Sequence, residues 1–299
     1  MRTGALPARE RQRNTVMNLH RRLLLCLALL VPAALTAGAS GQAPAQIPWV
    51  TSLAQARAEA AAGKKLILAY LFADWCPYCR RMDRETWTDA AVIAERAKYV
   101  FLRLDGEKDP DGVNLCRRFF IRGFPAILLL HADGSEFDRL DGYMPADELL
   151  RRLKLVLEDP DSLGNLKAAA AGNPSDVALR LRLGRVLLGR MDLAGAQENF
   201  EEIVRLDPAN RGKTTDQALL YLGMCRALQS DPAGALGTLE RLERDFPKST
   251  LVPRAWLLAG ELLLQTGRRE EGTKKIERFL EVYPDHPLAQ RARQLLAKP

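Results

Sequence analysis

Two cysteines separated by two residues, where an apolar run gives way to a helical pattern, constrain this chain more than any other feature. Trp75-Cys76-Pro77-Tyr78-Cys79 directly follows Leu66 to Phe72, and the helical pattern begins at Arg80. A continuous apolar run of that length suits a strand buried on both faces. Pro77 falls in the first helical turn, where proline is tolerated. Cys76 then sits at a helix N-terminus, where unpaired N–H groups and the macrodipole favour negative charge. The thiolate, not the thiol, attacks disulfides. Cys79, one turn on, lies under Cys76 and resolves a mixed disulfide by attacking it. The pair therefore reads as a catalytic dithiol–disulfide couple.

Other uses of the pair are weighed against that chemistry. A structural zinc site needs four ligands, but there is no second CxxC, and His131 and His286 are distant in sequence. No metal is assigned. A permanent structural disulfide across so small a ring stabilises little. An inert pair on a non-catalytic binding or assembly scaffold stays open as the alternative. Neither reading calls for a cofactor beyond the redox-active disulfide itself.

A length of 299 residues has room for two domains. The net charge of +7 invites a nucleic-acid reading, but six arginines and one glutamate give residues 1–22 most of it. The remainder is nearly balanced and carries no polybasic footprint, so no nucleic-acid partner is expected. Arg21 and Arg22 precede an apolar run, Leu23 to Leu35, and then Ala37-Gly38-Ala39. That is the pattern of an export signal cleaved after Ala39, with Met17 a possible start. The run is short of the ~20 residues that span a bilayer, so no stable span is expected after cleavage. Cys26 leaves with the signal, and Cys76, Cys79, Cys116 and Cys225 remain. An exported chain meets a compartment where disulfides persist, here expected to be a bacterial periplasm, and a reactive pair there needs a redox partner protein.

Residues 40–48 read as a tether rich in Gly, Ala, Gln and Pro. Thr51 or Ser52 caps a helix through 53–62, and strands are expected at Leu66 to Phe72, Tyr99 to Leu104, Ala126 to Leu130 and Glu136 to Leu140. Helices follow the cysteine pair, run from Asp111 to Phe120, and reach from Pro145 to Leu157. Helices alternating with strands describe an α/β domain covered on both faces. With Ala73-Asp74 before Trp75 and Arg122-Gly123-Phe124-Pro125 before the hairpin, residues 49–158 resemble a thioredoxin-fold domain. Arg80-Arg81-Met82 is similar to exported thioredoxin-like proteins. The resemblance implies a cis-proline at Pro125, with Phe124 offering backbone hydrogen bonds to a substrate strand. It also implies that Trp75, Pro77 and Tyr78 border the substrate, a protein thiol or disulfide. Where that family carries a buried aspartate and its lysine, this chain has Tyr70 and, on alignment, Phe101. Pro77-Tyr78 is a pair seen in glutaredoxins, but its surroundings argue against glutathione dependence. Arg80 with Asp83 and Arg81 with Glu85 stand at helical pairing distance. Cys116 and Cys225 read as buried free thiols, Cys116 facing Phe119 and Phe120.

Beyond Asp159-Pro160-Asp161 the strand patterns stop and an internal repeat begins. Gly184 and Pro208, Gly223 and Pro247, and Gly260 and Pro284 each stand 24 positions apart. Residues 162–299 resemble tetratricopeptide repeats, with units near 177–210, 216–249 and 253–286 and capping helices at 162–172 and 286–297. The resemblance implies a peptide or protein ligand in a concave groove toward which Leu181, Leu188, Leu220, Met224, Leu257 and Leu264 point. The other reading is that these side chains pack against the thioredoxin-like domain or within the array.

Overall fold

In the computed structural model, residues 46–297 are described. The expected signal, 1–39, and the tether up to residue 45 lie outside them. Strand β1 (Leu66–Phe72) is central because both of its faces are apolar. It is preceded by α1 (Leu53–Gly63), which Ser52 caps by accepting from the Gln55 N–H at 3.4 Å. After β1 come α2 (Pro77–Glu85), α3 (Ala90–Ala94), β2 (Tyr99–Asp105), α4 (Pro110–Arg118), β3 (Ala126–Leu130), β4 (Glu136–Asp141) and α5 (Ala146–Glu158). The sheet order is β2-β1-β3-β4. β1 and β2 are parallel from Leu66 with Tyr99 to Phe72 with Asp105, whereas β3 is antiparallel to β1 and to β4.

Alternation along the strands sorts two cores. Leu68, Tyr70, Phe101, Ile127 and Leu129 pack with Met82, Trp87, Val92, Leu149 and Leu153 on one face. Ile67, Ala69, Leu71, Leu102 and Leu128 pack with Ala56, Ala60 and Leu115 on the other. Helix α4 ends at Arg118, short of the expected Phe120, because Phe120 turns into the left-handed region at φ 53°.

The remainder is helical: α6 (Leu163–Gly172), α7 (Val177–Gly189), α8 (Leu193–Leu206), α9 (Thr215–Leu228), α10 (Pro232–Asp245), α11 (Val252–Gln265), α12 (Arg269–Val282) and α13 (Ala289–Leu296). The repeated glycines mark where paired helices cross. A Cβ at Gly184, Gly223 or Gly260 would stand 2.6, 2.8 or 2.5 Å from Phe200, Leu239 or Ile276. Any side chain there would separate the helices.

The array docks on β4, the edge strand. The Leu163 N–H at the start of α6 donates to Asp138 Oδ2 at 3.3 Å. Arg190, in the α7–α8 turn, donates to Glu136 Oε1 at 2.6 Å and also to Asp138. Arg139 completes the cluster by donating to both Glu136 oxygens, at 2.6 and 3.0 Å, and to the Phe119 carbonyl at 2.7 Å. An otherwise open sheet edge is thus covered.

Candidate redox site

Cys76 is the N-cap of α2, with an extended backbone (φ −72°, ψ 112°) and Pro77 behind it in the first turn. Its Sγ accepts from the Cys79 N–H at 3.1 Å, so a helix-terminal donor is aimed at the sulfur. Cys76 and Cys79 form a disulfide with Cα atoms 5.3 Å apart, and both side chains are buried. Trp75 and Tyr78 stand exposed around them. The indole of Trp75 donates to Glu107 at 2.9 Å and meets the Phe124 ring at 6.4 Å. Tyr78 lies 6.1 Å from Tyr143, over which the Arg81 guanidinium stacks at 4.4 Å. The Phe124–Pro125 peptide is cis, as the resemblance implied.

Charges around the pair are mostly partnered. Lys108 bonds Asp74 and holds that carboxyl below the usual range. Arg81 pairs with Glu85 at 2.9 Å, but Arg80 does not pair with Asp83. Arg80 donates to the Asp74 carbonyl at 2.8 Å, because the guanidinium of Arg103, stacked 4.0 Å over Phe72, takes Asp83 at 3.0 Å. Burial raises the Asp83 pKa despite that partner.

Beneath the pair, Tyr70 is fully buried and donates its hydroxyl to the Cys79 carbonyl at 3.2 Å. Burial, reinforced by Asp83, pushes its phenol up, so it stays protonated at neutral pH and cannot serve as a base. Trp87 at 4.9 Å and Trp49 at 5.8 Å enclose it, and Phe101 stands edge-on to Trp49 at 5.7 Å. The floor of the site is aromatic.

Cys116 is half-buried beside the cis-proline loop. A Cβ at Gly106 would lie 2.4 Å from the Phe124 ring and 2.9 Å from Cys116 Sγ, so only glycine fits between them. Phe119 is buried, as expected, but Phe120 is 48% exposed and is not a core neighbour. Burial pushes the Cys116 and Cys225 thiols up to about 11, leaving both as poor nucleophiles at neutral pH.

Sequence reasoning missed Glu107 and Tyr143, which come to the pair from loops after β2 and β4. Asp105 ties the first of these loops by accepting from the Glu107 and Lys108 N–H groups at 2.8 and 3.0 Å. A strand ending in Asp followed by Gly was the available signal. In the array, Leu181, Leu220 and Leu257 are buried in its own cores and cannot line an open groove. Leu188, Met224 and Leu264 remain half-exposed. Among the described residues no His, Cys, Asp and Glu cluster could hold a metal.

The thioredoxin-like domain family matches residues 53–157, and the tetratricopeptide repeat family matches residues 217–249. Residues 53–157 are a thioredoxin-like domain. This domain is 37% identical over 103 residues to the thiol:disulfide interchange protein DsbD of Ralstonia nicotianae, covering 34% of this chain and 17% of that one. The corresponding protein of Actinobacillus pleuropneumoniae is 35% identical over 109 residues, covering 35% and 18%. The match thus spans less than a fifth of these relatives' length. A thioredoxin from Thermus thermophilus is 28% identical, covering 38% of this chain and 88% of that one, with a TM-score of 0.34.

Proposed function

We propose that this chain is an exported thiol–disulfide oxidoreductase whose helical array recruits a protein partner or client. The observation that carries the reading is the Cys76–Cys79 disulfide at the N-terminus of α2 with the Phe124–Pro125 loop alongside. In the reduced state the Cys76 thiolate attacks a substrate disulfide, forming a Cys76–substrate disulfide and expelling one substrate thiolate. The Cys79 thiolate then attacks Cys76 Sγ, restoring the internal disulfide and expelling the second substrate sulfur. Two electrons pass to the substrate, whose thiolates take up the protons the pair gives up. Run in reverse, the same steps oxidise a substrate dithiol.

The substrate segment passes Trp75, Pro77 and Tyr78 and pairs with the Phe124 backbone beside Pro125. The interchange proteins that share the domain support this class of chemistry. In the array, Leu188, Met224 and Leu264 offer the partner its apolar surface. The basic residues, apolar run and small residues ahead of position 40 support export to a periplasm with cleavage after Ala39. No helix among the described residues is long and apolar enough to cross a membrane.

The test is Cys79→Ser expressed in full length. It should accumulate mixed disulfides through Cys76, visible on non-reducing gels and identified by mass spectrometry, whereas Cys76→Ser should not. Recovery of no Cys76-linked protein, or a native pair that resists reduction, would sink the reading. N-terminal sequencing of the mature protein checks the cleavage site.

A further inference from the structure

A cleft of about 590 Å³ runs from the cis-proline loop to the first turn of the array. One wall is Phe120 to Pro125, and the other is Gly189 to Met191, between α7 and α8. An apolar track leads into it from the disulfide: Trp75 meets Phe124 at 6.4 Å, and Phe124, Phe120 and Met191 line the cleft. Trp75 and Phe120 are 63% and 48% exposed, a large apolar surface for water to cover. The N–H and C=O groups of Phe124 have no backbone partner among the described residues and are free to pair with an extended chain.

Met191 gives the decisive comparison. The three helix–helix turns of the repeats each place one residue in the left-handed region: Met191 at φ 62°, Ser230 at φ 63° and Gly267 at φ 79°. That conformation favours glycine and is unfavourable for a long side chain. The first repeat nevertheless carries methionine, a soft side chain suited to varied apolar partners, in the turn that faces the redox loop. Phe120, on the opposite wall, has the same unfavourable backbone at φ 53°. Arg190 and Arg139, anchored on Glu136 and Asp138, hold the two walls together. Arg122 and Asp141 line the cleft with opposite charges, exposed and without an ion-pair partner among the described residues, so the cleft is not tuned to a charged segment.

We infer that this cleft binds an extended apolar segment adjoining the reactive cysteine of the protein substrate, with Met191 and Phe120 as specificity-determining contacts. The array thereby selects substrates at the redox site itself. This rests on the oxidoreductase reading.

The experiment uses the full-length protein, reduced beforehand, and two probes. One is a cysteine peptide carrying leucine a few residues from its cysteine, as the mixed disulfide with thionitrobenzoate. The other is dithiobis-nitrobenzoate, which has no flanking chain. In each case Cys76 attack breaks the probe's S–S bond, forms a Cys76 mixed disulfide and expels coloured thionitrobenzoate. Met191→Gly, which suits the turn, should lower the peptide-to-small-probe rate ratio about tenfold, the loss expected for one apolar side-chain contact. Ser230→Gly, in the equivalent turn, should leave the ratio at the wild-type value. Phe120→Asn, also compatible with a left-handed backbone, tests the other wall and should lower the ratio similarly. An unchanged ratio in folded Met191→Gly and Phe120→Asn overturns the cleft while leaving the oxidoreductase reading intact. Wild-type protein that reacts with neither probe overturns both.

Discussion

The Tyr70 hydroxyl donates to the Cys79 carbonyl at 3.2 Å, and Tyr70→Phe removes that bond while keeping the ring. Tyr70→Phe is expected to cost about 1 kcal/mol, read as a lower urea midpoint. The shape of the pH–rate profile with a small disulfide should not change, because the buried phenol stays protonated and carries no proton for the reaction. A different pH dependence follows from Cys225. Its folded pKa, about 11, lies above the ordinary 9.0, so on raising pH the unfolded chain gives up the thiol proton first. This group therefore leaves stability unaffected below about 9 and lowers it between about 9 and about 11. Thermal midpoints across that window should decline less steeply in Cys225→Ala than in the native chain.

Within elements, the helix pairs of the array separate two uses of glycine. Gly260 sits where α11 crosses α12, and a Cβ there would be 2.5 Å from Ile276. Gly260→Val should cost at least ~1–3 kcal/mol through overpacking. Gly237 lies mid-α10 with open space around it, and Gly237→Ala should add about 0.5–1 kcal/mol through helix propensity. Denaturant midpoints on the two variants, moving in opposite directions, check the assignment. The repeat spacing in the sequence marks the crossings through Gly184, Gly223 and Gly260, but says nothing of which helical glycine is free.

At the scale of the whole molecule, the array and the thioredoxin-like domain meet through charges with little solvent around them. The side chains of Glu136 and Asp138 are each 7% exposed and that of Arg190 is 19% exposed. Arg190→Ala would take the interdomain guanidinium from two buried carboxylates, with Arg139 still serving Glu136 and the Leu163 N–H still serving Asp138. Losing one member of such a cluster costs about 3–5 kcal/mol. The expected result is a single cooperative unfolding transition splitting into two, with faster proteolysis near Asp159 to Asp161, and added salt should change it little. Unaltered cooperativity would show that other contacts carry the docking.

Short-range patterns in the chain encode its elements directly. The apolar run Leu66 to Phe72, Pro77 behind Cys76 and the small residues at fixed spacing specified a strand, a capped helix and crossing helix pairs. Each depends on neighbours within a few turns of the chain, so local chemistry suffices. What the redox pair faces depends instead on long-range packing. That packing brought Glu107 to Trp75, drew Asp83 away from Arg80 to Arg103, and buried Leu181, Leu220 and Leu257 in the array. It also set Met191 opposite Phe120 across a cleft. These outcomes depend on which distant surfaces exclude water together, and that competition is settled only when the whole chain packs.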